Sequence, residues 1–165
     1  MRPQMSKRAT GALALTLLTG GPALTGCSAH AAPKPAPTQP FIAFNTCLVT
    51  DPAGLTPGTP GARAWAGAQA ATAPLHARAS YVTATSAQAA GAIGGLILKN
   101  CTLIVAASSD GQFAPTVEAA AKAHPEQHFL LVGPATTTAN VRSLPPGDDL
   151  QERVRQAVTD SAQAH

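Results

Sequence analysis

The chain's polar chemistry is sparse, and its best candidates are serines and aspartates beside short apolar runs. Ser108-Ser109-Asp110-Gly111 follows the run Thr102–Ala106 and leads toward a helical stretch. Amides and hydroxyls in that position can hold an anion or a sugar hydroxyl. The plainer alternative is a turn in which Asp110 caps the helix. Asp51 closes another apolar run, Phe41 to Thr50. A hydrolase would need a nucleophile, a base and an orienting group within reach of one another. Serines are plentiful, but His76 falls in a loop, His124 at a helix end before Pro125, His128 at the start of a strand and His165 at the terminus. There is no G-x-S-x-G elbow, no G-x-G-x-x-G after the first strand and no zinc-ligand spacing. The residues therefore predict a binding or interaction protein with no cofactor and no metal, not an enzyme.

Those residues must be positioned by elements that the hydrophobic pattern outlines. Strands are expected at 41–50, 79–85, 102–106 and 128–132, with a short fifth at 141–144. Helices are expected at 62–71, 86–98, 111–123 and 150–162, with Ser86 capping the second and Asp148 or Asp149 the last. Trp65 and Tyr81 lie within regular elements, where core packing is the plainer reading. Strand and helix alternating at this pace imply βαβ units, right-handed crossovers and a three-layer, doubly wound parallel α/β sheet. In such a sheet a ligand sits at the carboxyl ends of the strands, the edge that carries Asp51, Ser108, Ser109, Asp110 and Gly133.

Composition bounds the rest. In 165 residues, 45% are hydrophobic but only 4% aromatic, and 36 are alanine. One modest domain packed from small side chains fits these values. With 12% charged residues and no basic cluster, nucleic acid is an unsuitable partner. Residues 1–26 read as an export signal: Arg2, Lys7 and Arg8 precede the apolar run Ala9–Leu18, which is too short to span a bilayer. Leu24-Thr25-Gly26-Cys27 resembles the lipobox of bacterial lipoproteins, in which the signal is cut before a cysteine whose thiol is joined to diacylglycerol. The expectation is a lipid anchor on Cys27 at the extracytoplasmic face of the cell membrane. The mature chain would carry eight basic and eight acidic residues, so attachment would come from the lipid and not from a basic surface. Residues 27–40 contain four prolines and read as an extended tether, leaving 41–163 as a single α/β domain.

Four blocks point to a family. Leu48-Val49-Thr50-Asp51, Ala64-Trp65-Ala66-Gly67, Asn100–Val105 and Glu118–Glu126 before Phe129–Val132 resemble, in that order, the BMP family of basic membrane lipoproteins. The resemblance covers roughly residues 44–144, the first part of that family's N-terminal lobe. It implies one lobe of a type I periplasmic-binding-protein-like fold, a small-molecule solute of nucleoside type and an ABC-transporter permease as partner. The chain also departs from the family. Where the family pattern resembles V-T-D-x-G-G-I-D-D-K-S-F-N, this chain keeps Asp51 but has Thr56 and Pro57 for the paired acids and Pro60-Gly61 for Phe-Asn. Gly133 stands where the family often has an aspartate. The resemblance thus implies a kept scaffold with a degenerate ligand site at Asp51, Ser108, Ser109 and Asp110. The alternative is a surface interaction module that binds no solute.

With Cys27 lipidated, Cys47 and Cys101 remain in a compartment that permits oxidation. In the common order 2-1-3-4 their strands are neighbours, within the Cα range a disulfide needs. The alternative is a pair of buried free thiols.

Overall fold

Apolar runs of five residues or fewer give short strands, the central ones buried on both faces. The structure, a computed structural model, describes residues 40–165. Its strands are β1 (Asn45–Thr50), β2 (Arg78–Thr83), β3 (Leu103–Ala107), β4 (His128–Val132) and β5 (Val141–Leu144). Its helices are α1 (Pro60–Thr72), α2 (Ala89–Leu98, preceded by a 3-10 turn at Ser86–Gln88), α3 (Ala114–Ala123) and α4 (Leu150–Gln163). All strands are parallel, in the order β2-β1-β3-β4-β5. The fold is therefore the expected three-layer, doubly wound α/β sheet.

Side chains alternate across the sheet, so each central strand feeds two cores. Val49, Ile104, Ala106, Phe129 and Leu131 face Ile93 and Leu96 of α2 and Val117 and Ala121 of α3. Leu48, Val105, Leu130 and Val132 face Ala64 and Ala68 of α1 and Leu150, Val154 and Val158 of α4. Alanine and glycine let α1 and α4 approach closely. A Cβ on Gly67 would collide with the Gln151 carbonyl and meet Val154 Cβ at 3.0 Å.

Several local expectations are corrected. β1 begins at Asn45, so Phe41 to Phe44 lie outside it. α1 begins at Pro60, because Thr59 caps it by accepting a hydrogen bond from the Ala62 amide at 3.2 Å. Thr85, not Ser86, opens the second helical segment, and Gln88 reaches back to its amide at 3.1 Å. Asp149 is the residue before α4, but its carboxylate takes Arg153 at 2.6 Å and makes no capping bond. Trp65 is half-buried and packs against the core on the α1–α4 face, whereas Tyr81, on edge strand β2, is 47% exposed and not a core residue; their rings meet at a tilt of 58° with centroids 5.2 Å apart.

Cys47 and Cys101 are joined, with a Cα separation of 5.9 Å. The β1–β3 register sets Cys47 beside Ile104, so Cys101 reaches it diagonally from just before β3. Asn100 makes this possible by taking a left-handed φ of 55° in the α2–β3 turn. Cys27, the export signal and the tether through residue 39 lie outside the described residues.

Candidate functional site

The strand order decides where a cleft can form. β1 lies between β2 and β3, and the crossovers leave α2 and α3 on one face and α1 and α4 on the other. The carboxyl ends of β3, β4 and β5 then open on a common rim. A cleft of about 540 Å³ lies there, bounded by Ser108–Gly111 after β3, Val132–Ala135 along and after β4, and Ser143 with Pro145 and Pro146 on β5 and beyond.

The Ser108–Gly111 loop is fixed from two sides. The Ser109 amide donates to Asp51 Oδ2 at 2.6 Å, which ties the end of β3 to the end of β1. Asp110 Oδ1 accepts from the Gln112 amide at 3.0 Å, and Gly111 turns the chain with a φ of 71°. α3 starts only at Ala114, with Phe113 at its N-cap and Pro115 in its first turn. Asp110 is thus a turn residue and not a helix cap, and the Ser108–Gly111 amides are not the helix N-terminus that the sequence suggested.

Buried hydroxyls normally have partners. Here Ser108 Oγ and Ser143 Oγ are buried without one, and both residues line the cleft. Thr50 Oγ1 and Asp51 Oδ1 are also unpartnered. Thr50 turns away from the cleft, toward Gly61, where a Cβ would strike its hydroxyl. Among the described residues no lysine, arginine or aromatic side chain lines the cleft, and Asp110 is its only carboxylate. Its chemistry is that of a neutral, hydrogen-bonding site with proline walls. Among the described residues no group of three or more His, Cys, Asp and Glu could hold a metal ion.

Of the four residues expected at the site, Ser108, Ser109 and Asp110 come together in the cleft. Asp51 does not line it. Its carboxylate serves as the anchor of the loop that does. Sequence reasoning missed Ser143 and the prolines 134, 145 and 146. The signal was present, since Ser143 is the penultimate residue of the expected fifth strand and so belongs to the same carboxyl edge.

No family model and no curated protein matches the chain. Solved structures match its shape. A crystallised fragment from Peptoclostridium difficile 630, provisionally described as a lipoprotein, aligns with a TM-score of 0.63 at 20% identity, over 72% of this chain and 98% of that one. An ABC transporter system solute-binding protein from Aeropyrum pernix K1 aligns with a TM-score of 0.54 at 22% identity, over 61% of this chain. The domain shares its α/β fold with these two structures. It matches only 28% of the length of the Aeropyrum protein, so the chain corresponds to a part of that architecture. The cleft lies at the strand ends where a doubly wound lobe presents ligand-contacting loops.

Proposed function

We propose that the chain is an extracytoplasmic lipoprotein, held to the cell membrane by lipid on Cys27, whose domain is a reduced solute-binding lobe of BMP type. Its ligand would be a small, neutral, hydroxyl-bearing solute of nucleoside type, and its partner an ABC-transporter permease. The observation that carries this reading is the cleft at the carboxyl edge, where Ser108 and Ser143 hold buried hydroxyls without partners. Each is a hydrogen-bonding group that the folded domain leaves unused at the wall of the cleft.

The distribution of histidines supports binding rather than catalysis. His76 precedes β2, His124 follows α3, His128 opens β4 and His165 follows α4, all at the amino edge of the sheet. The cleft serines stand at the opposite edge, so among the described residues none has a histidine base beside it. Of the acids in the family pattern only Asp51 is kept, and it lies outside the cleft, so the ligand site is a degenerate one.

One lobe covers one side of a solute, whereas strong sites bury most of the ligand surface. Affinity in a monomer is therefore weak. The open, one-sided cleft is also what a surface interaction module would present, and that is the second reading. A calorimetric screen of nucleosides against the mature chain separates the two. Heat that saturates and is lost in Ser143→Ala supports a solute lobe. No heat with any nucleoside, for a folded protein, supports the interaction module.

A further inference from the structure

The edge of the sheet opposite the cleft has a character of its own. Four large hydrophobic residues are exposed among the described residues: Phe41 at 77%, Ile42 at 39%, Tyr81 at 47% and Leu98 at 84%. Three of them lie at the amino edge. Phe41 and Ile42 enter it ahead of β1, with the Phe41 ring 5.8 Å from that of His76 in the α1–β2 turn. Leu98 ends α2, and its neighbours Ile97 and Lys99 line shallow depressions shared with Ala43, Asn45 and Arg78.

Charge divides the same way. Arg78, Lys99 and Lys122 sit at the amino edge, at the start of β2 and the ends of α2 and α3. The acid there is Glu126, 3.7 Å from His124. Glu118 lies midway along α3, and Asp160 is bound to Arg142 and Gln156. Asp51, Asp110, Asp148, Asp149 and Glu152 gather at the carboxyl edge, where Arg63, Arg153 and Arg155 pair with Asp148, Asp149 and Glu152 and leave an acidic excess. Strands of this length separate the two edges by about 20 Å, roughly two Debye lengths in physiological salt. The acids of one edge therefore do not cancel the cations of the other.

We propose that the amino edge of this domain is a docking face for an anionic lipid bilayer, with Phe41, Ile42 and Leu98 entering the interface and Arg78, Lys99 and Lys122 meeting lipid phosphates. The proposal rests on the reading of Cys27 as the lipid anchor. Residues 28–40 can extend no further than about 45 Å, and they deliver the chain to this edge at Pro40. Tether entry, exposed apolar side chains and a surplus of cations coincide on one pole. An interfacial site combines buried apolar area with attraction to anionic headgroups in this manner. Docking this way turns the cleft away from the bilayer. Each cation near an anionic surface strengthens docking by about fivefold, so Lys99→Gln should lower the ratio of docked to free domain by about that factor.

The test uses the full chain, matured with its lipid, in which Trp65→Phe is combined with Leu98→Trp to place the only indole at the pole. The protein is reconstituted into vesicles of brominated phosphatidylcholine, alone or mixed equally with phosphatidylglycerol. Quenching of the indole on the mixture but not on phosphatidylcholine alone, weakened by Lys99→Gln, is the expected result. A second variant, Trp65→Phe with Gln112→Trp, puts the indole at the cleft pole and should stay unquenched on both. Absence of quenching at position 98 overturns the proposal. So does equal quenching on both vesicles, or an indole already shielded in detergent by the chain's own tether, a second copy or another protein. Intact mass reads the lipid on Cys27 separately. Lipid present without quenching leaves the anchor and refutes the docking face, whereas quenching without lipid refutes the anchor and leaves the docking face.

Discussion

Breaking the link between Cys47 and Cys101 should cost this domain a large part of its stability. The bond spans 54 residues, enclosing most of β1, all of α1 and β2, and α2. In the unfolded chain, closing a loop of that size removes entropy worth about 4 kcal/mol at 25 °C. The folded side offers little to offset the loss. Both cysteines are about as buried as the core around them, at 4% and 3% exposure, and reduction leaves their sulfurs in place. For a folded unit of some 125 residues, about 4 kcal/mol corresponds to a fall in Tm of roughly 15 °C. That is a substantial share of the 5–15 kcal/mol, roughly, that holds a typical domain together. The assay is thermal unfolding of the oxidised protein, the reduced protein and the double variant Cys47→Ala/Cys101→Ala, with thiols counted under denaturing, non-reducing conditions. Two free thiols in the untreated protein would refute the bond. No free thiol, but a Tm that drops by only a degree or two on reduction, would refute the loop-entropy reasoning while leaving the bond. The β1–β3 pairing should persist in the reduced protein, because its hydrogen bonds do not depend on the sulfurs.

Other expectations follow from single positions. Gly67→Ala should destabilise by about 1–3 kcal/mol in chemical denaturation, since the added methyl collides with the α4 backbone at Gln151. Unchanged stability would mean that α1 and α4 separate freely. Ser108→Ala and Ser143→Ala should each be neutral or stabilising, by up to about 1 kcal/mol, because each removes a buried hydroxyl with no partner. A marked loss of stability from either would show that the hydroxyl is bonded within the folded protein. Asp160 is held below the usual carboxylate range, first by the hydrogen bond from Gln156 and then by that from Arg142. Its small stabilising effect is present above the unfolded-state pKa and disappears as pH falls through the lower folded-state value. NMR titration should show both Gln156→Ala and Arg142→Ala raising the Asp160 midpoint, and a midpoint unmoved by either would contradict the assignment. Cys27→Ala should move the protein from the membrane fraction to the soluble or precursor pool. Normal processing and retention in the membrane would end the anchor reading.

Much of the fold was legible because its signals are local. Apolar runs such as Leu103–Ala107 and His128–Val132 admit few readings between helical stretches, and alternation of the two element types implies a parallel sheet. Element ends were less legible, since they depend on one hydrogen bond apiece. Thr59 and not a later residue caps α1, and Asp149 spends its carboxylate on Arg153 instead of capping α4. Sequence also suffices to place Asp51 and Ser108–Asp110 at the carboxyl edge, because strand direction alone puts them there. Tertiary structure decided their separate roles. Asp51 is drawn from the cleft into a bond with the Ser109 amide, across 58 residues of sequence. Ser143 enters the cleft only because β5 pairs with β4 in the register that sets Leu131 beside it. The diagonal reach of Cys101 to Cys47 depends on the left-handed turn at Asn100. Periodicity records which way each strand runs and which face is apolar. It does not record register, or which of two polar atoms captures a third, because those depend on groups that are distant in sequence and meet only when the sheet closes.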